Sequence, residues 1–168
     1  RPSLLFCYSF GKAQRVLAEL ANLTDRPIYV HGAIAVLNDI YRQQGINLGE
    51  TISTTDVPKS YGYQGDLILA PPSGHRSTWM KRFKQPQTAF VSGWMAVRGA
   101  RRRRGYERGF VLSDHADWPS LLQTVKDTQA QKIYVTHGQS DTLARYLRDA
   151  LGIAAEPLDT LFEGESDI

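Results

Sequence analysis

The sequence has a single cysteine, Cys7, which excludes an intrachain disulfide and favours a reducing compartment such as the cytoplasm. No apolar run approaches the roughly 20 residues that a transmembrane helix needs, and no signal-peptide pattern is present, so no membrane partner is expected. The chain lacks internal repeats and, apart from one arginine-rich stretch, low-complexity segments. Its 168 residues suffice for one globular domain or two small ones. Cys7 lies in an apolar run, which is typical of a buried, inert thiol.

Short apolar runs alternate with segments of helical period along most of the chain. Runs at 4–8, 27–30, 66–70 and 88–93 each lead into a loop containing glycine, serine or histidine. A helix is predicted from about Ala33 to Gln44, with Gly45 as its stop. Residues 46–65, which follow it, show no clear period and are expected to be irregular or a lid. This order is typical of an α/β fold with a parallel sheet and one functional edge.

The stretch between the arginine-rich segment and the last helix has the clearest pattern. Two apolar runs, at 109–112 and 132–136, flank an amphipathic segment, and each leads into a histidine, His115 or His137. A strand–helix–strand crossover makes two such strands parallel, so both histidines are expected to leave one sheet at the same edge.

Two carboxylates, Asp114 and Asp117, accompany His115. Ligands and catalytic groups in open α/β sheets collect at the carboxyl ends of strands, so these groups are expected around one crevice. Plainer interpretations exist: Asp117 suits the N-cap of a helix that begins near Trp118, and each histidine suits a hydrogen-bonded polar position.

The turn after the first apolar run is suited to binding a phosphate. Ser9, Gly11 and Lys12 would place a hydroxyl, backbone N–H groups and an ammonium at a helix N-terminus. A P-loop is excluded because the second glycine and its spacing are absent. An ordinary strand-to-helix turn is the alternative.

Arginines crowd the connection that precedes the run at 109–112. They are Arg98, Arg101, Arg102, Arg103, Arg104 and Arg108. The planar guanidinium binds phosphate with two hydrogen bonds, and clustered basic residues are typical of a surface that contacts a polyanion. The alternative is a solvated surface loop.

Several of these segments together resemble the motifs of metallo-β-lactamase-fold nucleases that carry a β-CASP domain. The matching segments are Ser-Phe-Gly-Lys-Ala-Gln at 9–14, Ala-Pro-Pro-Ser-Gly at 70–74, Ser-Gly-Trp-Met at 92–95, Ser-Asp-His-Ala-Asp at 113–117 and Val-Thr-His-Gly at 135–138. The residues within these motifs are most similar to those of bacterial ligase-associated DNA exonucleases, which are also described as mRNA 3′-end processing factor-like.

The resemblance implies a parallel-sheet β-CASP domain over residues 1–109, followed by the closing C-terminal segment of a metallo-β-lactamase fold over 110–168. The chain starts at Arg1 and runs almost at once into a strand, so it is expected to be the C-terminal part of a longer enzyme. The first metal motif of the family, two histidines one residue apart followed by Asp-His, is absent. Two further acidic groups of the family, a metal ligand and the partner of His115, are also missing.

The resemblance also implies roles for individual residues. His137 would bind metal, and His115, with Asp114 and Asp117 beside it, would assist the leaving oxygen in a two-metal hydrolysis of phosphodiesters. Ser73 and Gly74, in the second glycine loop, would join the turn at 9–12 in contacting nucleic acid. Two divalent ions, Zn²⁺ or Mn²⁺, are implied for the complete enzyme, and this chain alone is not expected to bind both.

DNA is favoured over RNA as the substrate, and association with a DNA ligase or helicase is implied. Two other functions fit the residues. One is an α/β module that binds nucleic acid without catalysis, and the other is a small self-contained metallophosphoesterase. The chain alone is expected not to hydrolyse phosphodiesters, because the matched motifs supply one firm metal ligand.

Overall fold

The computed structural model describes residues 1–97, 105–136 and 138–158. Arg98, the arginines at 101–104 and His137 therefore lie outside the described residues. The chain divides into two compact units, Arg1–His115 and Ala116–Ile168. Neither unit has a described helix that is long and apolar enough to cross a membrane.

The first unit alternates strands with helices or loops. Its elements are β1 (Ser3–Phe6), α1 (Lys12–Leu20), β2 (Ile28–Val30), α2 (Gly32–Gln43), β3 (Thr51–Ser53), β4 (Leu67–Ala70), β5 (Gln87–Val91) and β6 (Arg108–Phe110). Short 3₁₀ helices at Pro72–Gly74 and Thr78–Arg82 lie between β4 and β5, and a third at Gly93–Ala96 follows β5.

The six strands form one sheet in the order β3-β2-β4-β1-β5-β6. Every pair in it is parallel. The predicted α/β class with a parallel sheet is therefore confirmed. All strands end at one edge of the sheet, so the loops that follow them share that edge.

Alternate residues of each strand face opposite sides of the sheet, and each side has its own core. On one side Leu5, Val30 and Leu69 pack with α1 and α2. On the other side Phe6 and Phe90 are fully buried among aromatic residues from loops and 3₁₀ helices. Each such phenylalanine stabilises the fold by about 1.5–3 kcal/mol through the apolar surface it removes from water.

The helical side leaves part of the sheet open. A groove of about 660 Å³ lies there between α1 and strands β5 and β6, and its apolar lining includes Val16, Ala89 and Leu112. The groove runs along the strands rather than across their carboxyl ends.

The chain leaves β1 and β5 toward opposite faces of the sheet. α1 follows β1 on one face, whereas Met95 and Tyr106, from the connection that follows β5, pack on the other. Neighbouring strands whose connections diverge in this way leave a crevice at their carboxyl ends. This crevice between β1 and β5 is where the candidate site lies.

The second unit contains α3 (Trp118–Thr128), β7 (Lys132–Val135), α4 (Ser140–Leu151) and β8 (Ala154–Pro157). β7 and β8 form a parallel two-stranded sheet. Val135, Ala144, Leu147 and Ala155 are the buried residues of its small core.

Two expectations about the strands were wrong. The runs before His115 and His137 were predicted to share a sheet, but β6 pairs with β5 whereas β7 pairs with β8. β6 and β7 each pair with the strand that is nearest along the chain, which is the commoner arrangement. The connection expected to be irregular contains the edge strand β3, which is too short to show an alternating pattern.

Candidate functional site

Three loops meet where β1, β5 and β6 end. Residues 9–12 follow β1, Ser92 and Gly93 follow β5, and residues 113–115 follow β6. We call these residues, together with Arg15 of α1, the three-loop site. Several hydrogen bonds and close contacts join them.

The central contact is an ion pair between the first residue of α1 and the loop after β6. The Lys12 ammonium lies 2.5 Å from Asp114 Oδ1 and also donates to Leu112 O at 3.4 Å. Lys12 is only 3% exposed, because α1 presents it on the same buried face as Ala13 and Val16. A buried ammonium requires a counter-charge, so Asp114 is needed where it stands.

The carboxylate of Asp114 is held ionised by this contact. Partial burial raises the pKa of Asp114, but the hydrogen bond and charge of Lys12 outweigh burial and leave it below its ordinary value. At neutral pH the pair therefore carries no net charge, and the carboxylate does not repel an approaching phosphate as strongly as a lone carboxylate would.

Further contacts fix the loop after β6. The Arg15 guanidinium donates to Ser113 O at 2.7 Å, and Ser92 N–H donates to Phe110 O at 3.1 Å. A Cβ added to Gly93 would approach the Ser113 Cβ to 3.2 Å, so a larger residue there would press on the loop. The backbone that carries His115 is thus tied to both β5 and α1.

His115 is the exposed group of the site. Its side chain is 85% exposed, and Nε2 lies 4.0 Å from Asp114 Oδ1. Its backbone N–H donates to Ser113 Oγ at 3.2 Å. An imidazole presented to solvent beside a neutralised carboxylate is able to exchange a proton with a bound molecule.

The turn at 9–12 has less phosphate-binding capacity than its sequence predicts. Lys12 N–H donates to Phe10 O at 2.9 Å, and Ala13 N–H donates to Tyr8 O at 3.1 Å. Gly11 has φ of 75°, the left-handed region that favours glycine. The turn uses these donors itself, and the Lys12 ammonium is already paired. Phosphate binding by Ser9, Gly11 and Lys12 stays a prediction.

Cys7 lies beneath the site but is not part of its chemistry. The thiol is buried, and burial raises its pKa to about 12, with Lys12 opposing and Asp114 adding to the shift. A thiol with such a pKa is not a nucleophile at neutral pH. The prediction of a buried thiol is confirmed, and its lack of reactivity stays a prediction.

The other described histidines are packed. His31 N-caps α2 by accepting from Ala33 N–H at 3.1 Å, and its ring meets Trp79 edge to face at 5.0 Å. His75 stacks on Tyr106 with ring centroids 4.1 Å apart. Burial lowers the pKa of both imidazoles, so each is neutral at pH 7.

The remaining predicted residues are spread over the chain. Asp117 caps α3 by accepting from Ser120 N–H at 2.9 Å, as its plainer interpretation predicts. Hydrogen bonds from the side chain and then the backbone of Ser120 lower the pKa of Asp117. Ser73 is exposed, whereas Gly74 is buried against Trp79. His137, Arg98 and the arginines at 101–104 lie outside the described residues, so their roles stay predictions.

Sequence reasoning missed the partners of Lys12 and Arg15. A signal for Lys12 was present, because it stands on the apolar face of α1 with Ala13, Val16 and Leu17. A lysine at such a position is buried and therefore paired. Nothing in the sequence indicated which carboxylate would pair with it.

The described residues do not form a metal centre. Across residues 1–97, 105–136 and 138–158, no group of three or more histidine, cysteine or carboxylate side chains is placed to hold a metal ion. Asp114, the carboxylate nearest His115, is engaged by Lys12. The described side chains therefore do not fit the two-metal site that the motif resemblance implies.

Comparison with known proteins gives one partial relative. A protein of Opitutus terrae described as "Probable DNA ligase" is 31% identical over 146 residues, which are 87% of this chain and 14% of that protein. The chain thus spans about one seventh of the length of this relative. No protein-family model and no solved structure matches the chain.

Proposed function

We propose that this chain is the C-terminal part of a metal-dependent nuclease that hydrolyses phosphodiester bonds in DNA. In this proposal residues 1–109 form a β-CASP domain and residues 110–168 close a metallo-β-lactamase fold. The observation that carries the proposal is the exposed His115, which two neighbouring elements hold at the crevice between β1 and β5.

The proposed role of His115 is general acid catalysis. Its imidazole would donate a proton to the leaving oxygen of the scissile phosphodiester, or stabilise the charge that develops there. Asp114 would hold the imidazole in place, and Lys12 would keep that carboxylate from repelling the phosphate. The Lys12–Asp114 ion pair and the 4.0 Å separation between Asp114 Oδ1 and His115 Nε2 support these proposed roles.

The metal ions of the proposed reaction would be held mainly by residues other than those described. Two divalent ions, Zn²⁺ or Mn²⁺, would supply the attacking hydroxide when bound. A dinuclear site needs about six ligand atoms, and His137 is the one matched ligand in this chain. Proton transfer at His115 is the step that the described residues themselves support.

DNA is the proposed substrate because of the similar protein. The protein from Opitutus terrae carries a name that refers to DNA ligation, and the matched segment is 14% of its length. A nuclease segment joined to, or acting beside, a DNA ligase accounts for that similarity without placing ligation in this chain. Ligation by the matched segment is the second candidate, favoured by the name alone.

The arginines at 101–104 are expected to contribute affinity for the nucleic-acid backbone. Each phosphate contact releases counterions, so log K should fall with log salt concentration by roughly 0.7 to 0.9 per contact. Replacing Arg101–Arg104 with serine should reduce this slope by about two to four contacts, to a similar extent for different base sequences. Fluorescence-anisotropy titrations with single-stranded oligonucleotides at several salt concentrations measure the slope.

A Lys81→Ser/Lys84→Ser variant is the control, because it removes exposed positive charge outside the arginine-rich stretch. It should change the slope less than the quadruple variant does. An unchanged slope in the quadruple variant would exclude these arginines from the binding surface.

A further inference from the structure

Three exposed aromatic rings stand around the three-loop site. Tyr8 and Phe10 follow β1, and Trp94 follows the adjacent strand β5. Their exposed fractions are 44%, 71% and 53%. Parallel neighbouring strands are about 4.8 Å apart, so the loops that follow them lie side by side at the sheet edge.

These rings differ from most other aromatic side chains of the first unit. Tyr29, Tyr63 and Phe83 stack edge to face within the core on the other side of the sheet. Among the described residues, Tyr8 and Trp94 have no ring–ring contact, and Phe10 meets Tyr41 only at one edge, with centroids 6.3 Å apart. Large apolar faces therefore remain open to solvent at the site.

The charge around the rings suits a polyanion. The Lys12–Asp114 pair carries no net charge, and Arg15 adds an exposed positive charge next to Ser113. Proteins that bind single strands combine positive charge along the backbone with aromatic rings on which bases stack. Three exposed rings beside an acid–base group match that combination.

We propose that Tyr8, Phe10 and Trp94 form a stacking rim that holds the bases of single-stranded nucleic acid at the three-loop site. This inference rests on the proposed function, because it specifies which side chains bind the bases of the proposed substrate. The rim binds unpaired bases, since the faces of paired bases are covered by their neighbours in a duplex.

The test compares two oligonucleotides of equal charge. One is a twelve-nucleotide thymidine strand, and the other has the same backbone with abasic sugars. Each stacked base contributes a factor of about 5 to 150 in affinity. The 168-residue chain should therefore bind the thymidine strand at least roughly fivefold more tightly than the abasic strand.

Single variants assign the effect to the rim. Tyr8→Ala, Phe10→Ala and Trp94→Ala should each reduce affinity for the thymidine strand and leave affinity for the abasic strand unchanged. Trp94→Phe should retain most of the difference, because it keeps an aromatic face. Leu23→Ala is the matched control, since Leu23 is exposed and apolar but lies beyond the far end of α1.

The outcomes separate the rim from the nuclease proposal. Equal affinity for the two strands, or variants that weaken both equally, would overturn the rim while leaving a backbone-binding site. Failure to bind either strand at low salt would overturn the nucleic-acid function and the rim together. Unchanged circular dichroism spectra of the variants would show that they remain folded.

Discussion

Replacing His115 with alanine in the complete enzyme should lower its turnover number by on the order of 10²–10⁴ without lowering its metal content. The imidazole is 85% exposed and lies beside a carboxylate that Lys12 already neutralises, so its proposed work is proton transfer. His115→Gln should be impaired to a similar degree, because an amide does not deliver a proton.

His137→Ala is the variant with which His115→Ala should be compared. The motif resemblance makes His137 a metal ligand, so its loss should lower metal content as well as turnover. Metal analysis of both purified variants, alongside single-turnover hydrolysis of a labelled oligonucleotide, separates the two roles. Equal metal loss in both variants would show that His115 is a ligand rather than an acid.

Replacing Asp114 with asparagine should reduce the free energy of unfolding by about 3 kcal/mol. The change leaves the Lys12 ammonium buried without its counter-charge, and breaking a buried pair in this way is strongly destabilising. Breaking a buried ion pair typically costs about 3–5 kcal/mol. We expect the lower end of this range because the Asp114 side chain is 32% exposed. Urea unfolding of the first unit measures the change.

Two further variants show whether the cost comes from the pair. Lys12→Met/Asp114→Asn should be about as stable as Lys12→Met alone, since the carboxylate matters only while the ammonium is present. Asp39→Asn breaks the exposed pair with Arg42, also in the first unit, and should cost less than about 1 kcal/mol. Equal costs for Asp114→Asn and Asp39→Asn would contradict the buried pair.

The pH dependence of stability follows from the same contact. The pKa of Asp114 is lower in the folded chain than in the unfolded chain, because Lys12 outweighs partial burial. Its contribution is therefore complete above the unfolded pKa of about 3.9 and is lost as the pH falls through the folded value. The difference in unfolding free energy between the native chain and Asp114→Asn should shrink below about pH 4.

The secondary structure was largely predictable from the sequence, but the pairing of strands was not. Buried strands such as β4 and β5 stand out as apolar runs that end in loop residues, and α2 ends before Gly45 as expected. β6 pairs with β5, the strand that would otherwise be the edge of the sheet. Local periodicity does not contain that information.

The candidate site was predictable in its placement and not in its contacts. A parallel sheet with one functional edge was expected, and the loops after β1, β5 and β6 do follow strands that end at one edge. The ion pair joins Lys12 and Asp114, which are far apart in the sequence of the first unit. Only the folded chain shows which carboxylate reaches Lys12. Asp117 was expected either in the site or as a helix cap, and its hydrogen bond to Ser120 N–H identifies the cap.

One gel assay tests the nuclease proposal most directly. A 5′-labelled single-stranded oligonucleotide and a nicked duplex are incubated with the complete protein, and separately with the 168-residue chain, with and without Mn²⁺ or Zn²⁺. We expect the complete protein to shorten the single strand only when metal is present, and the chain alone to leave both substrates intact. Joining of the nick without shortening would contradict the proposal in favour of ligation, and metal-dependent hydrolysis by the chain alone, lost in His137→Ala, would instead indicate a self-contained phosphoesterase.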